Sequence, residues 1–199
     1  MELLMASMSA DLVTDCLARL DEAHQNGVIT DHSLVTMQTW LREPRYAEFA
    51  EQLADLIVRA KVDKEIWKSL DDAYWTVIPF GTGGRRGKMF PVGSNAINDR
   101  TIGESAQGLA EHVMATSGAE SDPSCTIAYD TRHRSEHFAR LCSDILLAAG
   151  FKIFFLRGYR STPELSYAVR YTKSTCGIMV TASHNPPSDN AVKVYWSGG

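Results

Sequence analysis

Apolar residues recur at helical spacing through the first third of the chain. One set is Leu12, Val13, Cys16, Leu17 and Leu20, and a second is Tyr46, Phe49, Ala50, Leu53 and Ile57. Gly27 suits the stop of the first segment, and Pro44 suits the first turn of the second. A third short segment, Asp63 to Leu70, presents Ile66, Trp67 and Leu70 on one side. The pattern predicts a helical extension over residues 1–75.

From Trp75 onward, short β-rich runs alternate with amphipathic stretches, the signature of a layered α/β domain over residues 76–199. Strands are predicted at 125–129 (CTIAY), 151–156 (FKIFFL), 177–181 (GIMVT) and 192–196 (VKVYW). Their continuous apolar character predicts burial on both faces. Helices are predicted near 101–116, 135–149 and 163–171, the last with Thr162 as N-cap and Pro163 in its first turn. Only the loop Ser183-His184-Asn185-Pro186 and its neighbours separates the last two strands, too short for a parallel crossover. The expected fold is therefore α/β/α with a mixed, mainly parallel sheet.

Composition narrows the function. The 199 residues are 44% hydrophobic and 22% charged, enough for one or two buried cores. A formal charge of −4 offers no basic excess for nucleic acid or an anionic membrane, so any anion binding has to be local. The first residues lack the basic n-region of a secretory signal, and no apolar run approaches the roughly 20 residues that span a bilayer. Cys16, Cys125, Cys142 and Cys176 are widely spaced, which fits reduced thiols in a cytoplasm better than a disulfide framework.

Three loops carry candidate chemistry. The buried run GIMVT breaks into ASHNPPSDN, which puts Ser183 just past the carboxyl end of a strand, where ligands of open α/β sheets bind. A serine there is either a nucleophile or phosphate carrier, or it hydrogen-bonds its own turn. Pro186 and Pro187 sharpen the first reading by fixing φ, while the pattern alone leaves both open. The stretch FGTGGRRGKMF (80–90) combines four glycines with Arg85, Arg86 and Lys88, suited to a phosphate dianion. It is no nucleotide P-loop, since Thr82 takes the first glycine position and Met89 the hydroxyl position. The third, YDTRHRSEH, sets Asp130, Arg132 and Arg134 at another strand end. Its His133, Glu136 and His137 also match H-x-x-E-H, the pattern of inverted zinc peptidases, although the neighbouring arginines would repel a cation.

Together these loops resemble one family. TASHNP (181–186) is similar to the phosphoserine signature of the α-D-phosphohexomutases, the phosphoglucomutase and phosphomannomutase superfamily. FGTGGRRG resembles that family's FGTSGLRG or FGTAGLRG, YDTR its GYDxR, and DNAVKVYW its DNGxKVY segment, all in the family's order; TPELSYAVR resembles its Thr-Pro helix. The helical extension with WLREP looks most like the phosphoglucomutase and phosphopentomutase branch. The resemblance implies an amino-terminal domain in which Ser183 carries a phosphoryl group between C1 and C6 of a sugar, or C1 and C5 of a pentose, through a bisphosphate. It implies that Lys193 and His184 act beside it, His184 touching phosphate or substrate more than Ser183 itself because neighbours on an extended segment point apart. Arg86, Arg132, Asn185, Gly84 and Arg85 are the implied phosphate or substrate contacts. Arg85 replaces the family's Leu, and either joins the phosphate loop or serves another contact; Ala191 replaces a usual Gly, which matters only at positive φ. Mg²⁺ would take one oxygen from phosphoserine, its other ligands coming from a D-G-D-x-D-R loop in a later domain that this sequence lacks. The alternative reading is a stand-alone phosphosugar-binding or regulatory module.

Overall fold

The computed structural model describes residues 8–81, 83–117 and 122–199. Residues 1–7, at the start of the expected extension, and Thr82, within the glycine-rich stretch, lie outside them. The chain divides into two compact units, one comprising the residues up to Val77 with Pro91–Asn95, the other Ile78–Phe90 with Ala96–Gly199.

The first unit holds helices α1 (Ala10–Gln25), α2 (Asp31–Arg42), α3 (Ala47–Arg59) and α4 (Glu65–Tyr74). Asn26 closes α1 and Gly27 follows at φ +67°, the left-handed turn that its lack of a Cβ allows. The apolar pattern does not single out helix α2; its buried positions Ser33, Met37, Trp40 and Leu41 keep helical spacing, but the first of them is a serine. Pro44 opens a 3₁₀ turn over Pro44–Tyr46 ahead of α3, and so does not sit in the first turn of the α-helix. Trp40 centres the core, stacked on Tyr46 at 4.8 Å and edge-on to Tyr74 at 5.0 Å. Pro91–Asn95 closes on α4, with Asn95 Nδ2 donating to Asp72 O at 2.8 Å.

The second unit is built on β1 (Gly84–Lys88), α5 (Asp99–Ser117), β2 (Ser124–Tyr129), α6 (Ser135–Ala148), β3 (Lys152–Phe155), α7 (Thr162–Thr172), β4 (Cys176–Val180) and β5 (Asp189–Trp196). The sheet runs β1-β5-β4-β2-β3, with β2 parallel to β3 and β4 and with β5 antiparallel to both its neighbours. It is the mixed sheet that the short loop before β5 demanded. Strands β2 and β4 are central and almost wholly buried, while β3, an edge strand, is only half-buried despite its apolar run. Helices α5 and α6 cover one face through Ile102, Ala106, Val113, Phe138, Cys142 and Leu146. Helix α7 covers Ala128 and Met179 on the other face through Leu165 and Val169.

Two local expectations are corrected. The N-cap of α7 is Ser161, whose Oγ accepts from Glu164 N while Glu164 Oε2 accepts from Ser161 N at 2.7 Å. That S-x-x-E capping box uses the residue before Thr162. The glycine-rich stretch is in part strand: β1 pairs with β5 over its whole length, and Gly84 lies against β5 so closely that a Cβ would meet Val192 O at 2.1 Å. Strand packing, not anion binding, accounts for this glycine.

Gly84→Ala should therefore lower stability by about 1–3 kcal/mol, because the clash is with backbone that cannot swing aside. Gly108→Ala, in α5 with nothing within 4 Å of the new Cβ, should raise it by about 0.5–1 kcal/mol. Urea unfolding of the two variants measures both; a harmless Gly84→Ala would contradict the strand register.

Candidate active site

Parallel pairing of β2 with β4 sets their carboxyl ends side by side, so the loop after Tyr129 and the loop after Val180 are neighbours. Asp130 N donates to Val180 O at 3.2 Å and ties them at the root. The second loop then turns sharply. Thr181 Oγ1 accepts from Ser183 N at 3.0 Å, and Asn185 N donates to Ala182 O at 3.1 Å. Ser183 is thereby held at φ +58°, a left-handed conformation that costs a non-glycine residue about 1–3 kcal/mol and marks a backbone fixed by its surroundings.

What fixes it is Arg132. Its Nη2 donates to Ser183 O and Asn185 O, both at 2.7 Å, and its Nη1 to Pro186 O at 2.8 Å and Asp189 O at 3.0 Å. Its Nε lies 3.4 Å from Asp130 Oδ2. A guanidinium has five N–H groups, and here all five face the protein. Arg132, expected from the sequence to grip phosphate, here turns its Nη donors to loop carbonyls. Asn185 is likewise turned inward, with Nδ2 donating to Asp189 Oδ2 at 2.9 Å.

The support continues below. Asp130 Oδ1 accepts from Arg132 N and from Ser135 Oγ, and Ser135 Oγ accepts from Asn190 Nδ2 at 3.0 Å. Asn190, fully buried at the start of β5, also donates to His133 O and accepts from Ala191 N. Sequence reading does not single out Asn190, although it lies in the DNAVKVYW segment already matched to DNGxKVY and is a polar residue heading an apolar strand. Ala191 is absent from the positive-φ residues, so a glycine is not required there.

Ser183 is exposed at the mouth of a cavity of about 300 Å³ lined by Asp130, Thr131, Arg132, His133, Ser183 and Pro187. Its Oγ lies 3.4 Å from His184 Nδ1. The expectation that the two side chains point apart fails because Ser183 is left-handed, not extended. Of the H-x-x-E-H residues, Glu136 pairs with Arg140 and His137 pairs with Asp99, which Arg134 shares. Among the described residues no group of three or more His, Cys, Asp or Glu side chains could hold a metal ion. The carboxylates nearest Ser183 do not fit Mg²⁺ unaided: Asp130 serves Arg132 and Ser135, and Asp189 serves Asn185 and Ser188.

Arg86 and Lys193 come to one face of the sheet, since Arg86 is opposite Ala191, two residues from Lys193 on β5. Neither side chain has a hydrogen-bond or ion-pair partner among the described residues. Arg85 points to the other face, where its Nη1 donates to Thr101 O and pairs with Glu104 at 3.0 Å. There it lines a separate, mostly apolar cavity of about 550 Å³ with Phe80, Leu109, His112 and Trp196. Of its two expected roles, Arg85 takes the contact away from the phosphate loop.

Residues 78–199 match the family model of the phosphoglucomutase/phosphomannomutase α/β/α domain I. The chain belongs to this family. It is 39% identical over 145 residues to a phosphoglucomutase of Staphylococcus haemolyticus, covering 73% of this chain and 26% of that protein. It is 44% identical over 124 residues to one from Staphylococcus epidermidis, covering 62% and 22%. The crystal structure of a Thermus thermophilus protein assigned as a phosphomannomutase superposes with a TM-score of 0.56 at 35% identity, over 62% of this chain and 27% of that one. The chain thus spans about a quarter of the length of the curated relatives it matches. Among the described residues no helix is long and apolar enough to cross a membrane.

If Ser183 stores backbone strain, Ser183→Gly should raise stability by about 0.5–1 kcal/mol, whereas Ser183→Ala should change it by less than about 0.5 kcal/mol. Equal urea midpoints for Ser183→Gly and Ser183→Ala would count against the strain.

Proposed function

We propose that this chain is the phosphoserine domain of a phosphosugar mutase that interconverts sugar 1-phosphate with sugar 6-phosphate, or with pentose 5-phosphate, through a bisphosphate. The observation that carries the reading is Ser183 itself: an exposed hydroxyl on a strained, heavily bonded turn at the carboxyl ends of two parallel strands. Such a turn suits in-line phosphoryl transfer, which depends on position more than on covalent chemistry. In the first half-reaction the bond between phosphorus and Ser183 Oγ breaks as phosphorus bonds a sugar hydroxyl oxygen. In the second, Ser183 Oγ bonds the other phosphorus of the bisphosphate as that phosphorus leaves its sugar oxygen, which takes up a proton to become a hydroxyl.

His184 Nδ1 stands at the Ser183 hydroxyl and takes its proton when the serine is rephosphorylated; the 3.4 Å separation is a length that shortens in a reacting complex. Lys193 and Arg86, on one face and without protein partners, stabilise charge on the transferring group and bind the substrate phosphate. Arg132, Asn185 and Gly84 shape the site. Mg²⁺, held by a phosphoserine oxygen and by carboxylates of the remaining domains, would supply further charge neutralisation. Those domains would also choose the sugar. Four buried free thiols suit the reducing cytoplasm in which we place the enzyme.

In the polypeptide carrying the remaining domains, Ser183→Ala should lose nearly all turnover while folding normally. Phosphopeptide mapping after incubation with a sugar 1,6-bisphosphate should place the label on Ser183, and a label elsewhere would sink the mechanism. Lys193→Ala and Arg86→Ala should each lower turnover about a hundredfold, the usual worth of one charge-stabilising donor, near 3 kcal/mol. The 199-residue chain alone should show no mutase turnover above its Ser183→Ala control. A reading frame that stops at Gly199 would instead favour a phosphosugar-binding module.

A further inference from the structure

We propose that Arg132 is the positioning residue of the Ser183 site, acting on the serine through the loop backbone and making no contact with substrate phosphate. The proposal rests on the phosphoserine reading and adds how the serine is aimed.

Four carbonyls, those of Ser183, Asn185, Pro186 and Asp189, point at one guanidinium. Carbonyl dipoles converging on one point repel one another unless a cation sits among them. Remove it and each carbonyl turns outward to find water, and the turn that holds Ser183 left-handed opens. The guanidinium cannot leave to serve a ligand, because its side chain is only 13% exposed and Asp130 faces its Nε. Asp130 is anchored in turn by Ser135, and Ser135 by Asn190, so the clamp is referred to α6 and to the buried Asn190 of β5. A lysine would keep the charge but place one nitrogen with three N–H groups before four acceptors, and would lose the fork. Displacement of a reacting atom by about 1 Å can cost a hundredfold in rate, so a loosened loop harms transfer without touching phosphate affinity.

The test is Arg132→Lys. In the chain itself, native-state amide exchange at Ser183, Asn185 and Asp189, whose N–H groups are hydrogen-bonded within the loop, should quicken at least about tenfold, while β2 and β4 amides stay protected. In the polypeptide carrying the remaining domains, kcat should fall at least about tenfold with KM for the sugar phosphate within about twofold of wild type. Should Arg132→Lys fail to fold, Asp130→Asn, which frees the Nε side of the guanidinium, should quicken the same amides severalfold. Unchanged loop exchange, or a raised KM with kcat intact, would overturn the proposal and return Arg132 to phosphate binding. An active Ser183→Ala enzyme would defeat the phosphoserine reading instead, and the exchange result would still decide the clamp.

Discussion

The convergence of four loop carbonyls on Arg132 is the interaction on which the site depends. A loop between antiparallel strands ordinarily satisfies its carbonyls with water or with its own N–H groups. This one turns them toward the protein, and that arrangement is stable only while a forked cation occupies the centre. Left-handed Ser183, the tie of Ser183 N to Thr181 and the tie of Asn185 to Asp189 are parts of the same closed turn. The two prolines stiffen it, but neither supplies a donor.

The sheet makes that convergence possible. Because β2 and β4 are parallel neighbours, a residue just beyond the end of β2 can reach beneath a loop that leaves β4. Both strands are buried on both faces, α5 and α6 on one side and α7 on the other, so their ends are rigid reference points. Burial also disarms the nearby sulfur chemistry: enclosure pushes the Cys142 thiol up to about 12, far from a reactive thiolate at neutral pH.

Legibility in the sequence followed apolar content. Strands β2 and β4 were plain because their residues are almost all apolar, and the mixed sheet followed from the length of one loop. Strand β1 was not, since GRRGK carries no large apolar side chain and is held by an edge pairing with β5 that local pattern does not encode. Helix α2 was lost because its buried face includes Ser33. Ser183 was singled out by its place after a strand. The partners of Arg132 and Asn185 were not, because an arginine near a phosphate loop reads the same whether its N–H groups face a ligand or a backbone. The stiffness of the loop likewise pointed to the prolines, although most of it comes from a residue 51 positions before the serine.

Counting donors separates the occupied basic side chains from the unpartnered ones. With Arg132 spent on carbonyls and Arg85 turned to Glu104 on the opposite face, two of the basic residues nearest in pattern to a phosphate site are occupied. Among the described residues of this edge, Arg86, Lys88 and Lys193 are left without side-chain partners, and the pleat places all three on one face of the β1–β5 edge. Gly84 belongs to the same geometry: its missing Cβ lets β1 lie close to β5, which holds Arg86 beside Ala191 and in step with Lys193. The glycine-rich stretch is therefore a seated strand that carries one arginine to each face. Its Arg86 face looks the same way as Lys193, and its Arg85 face closes on α5.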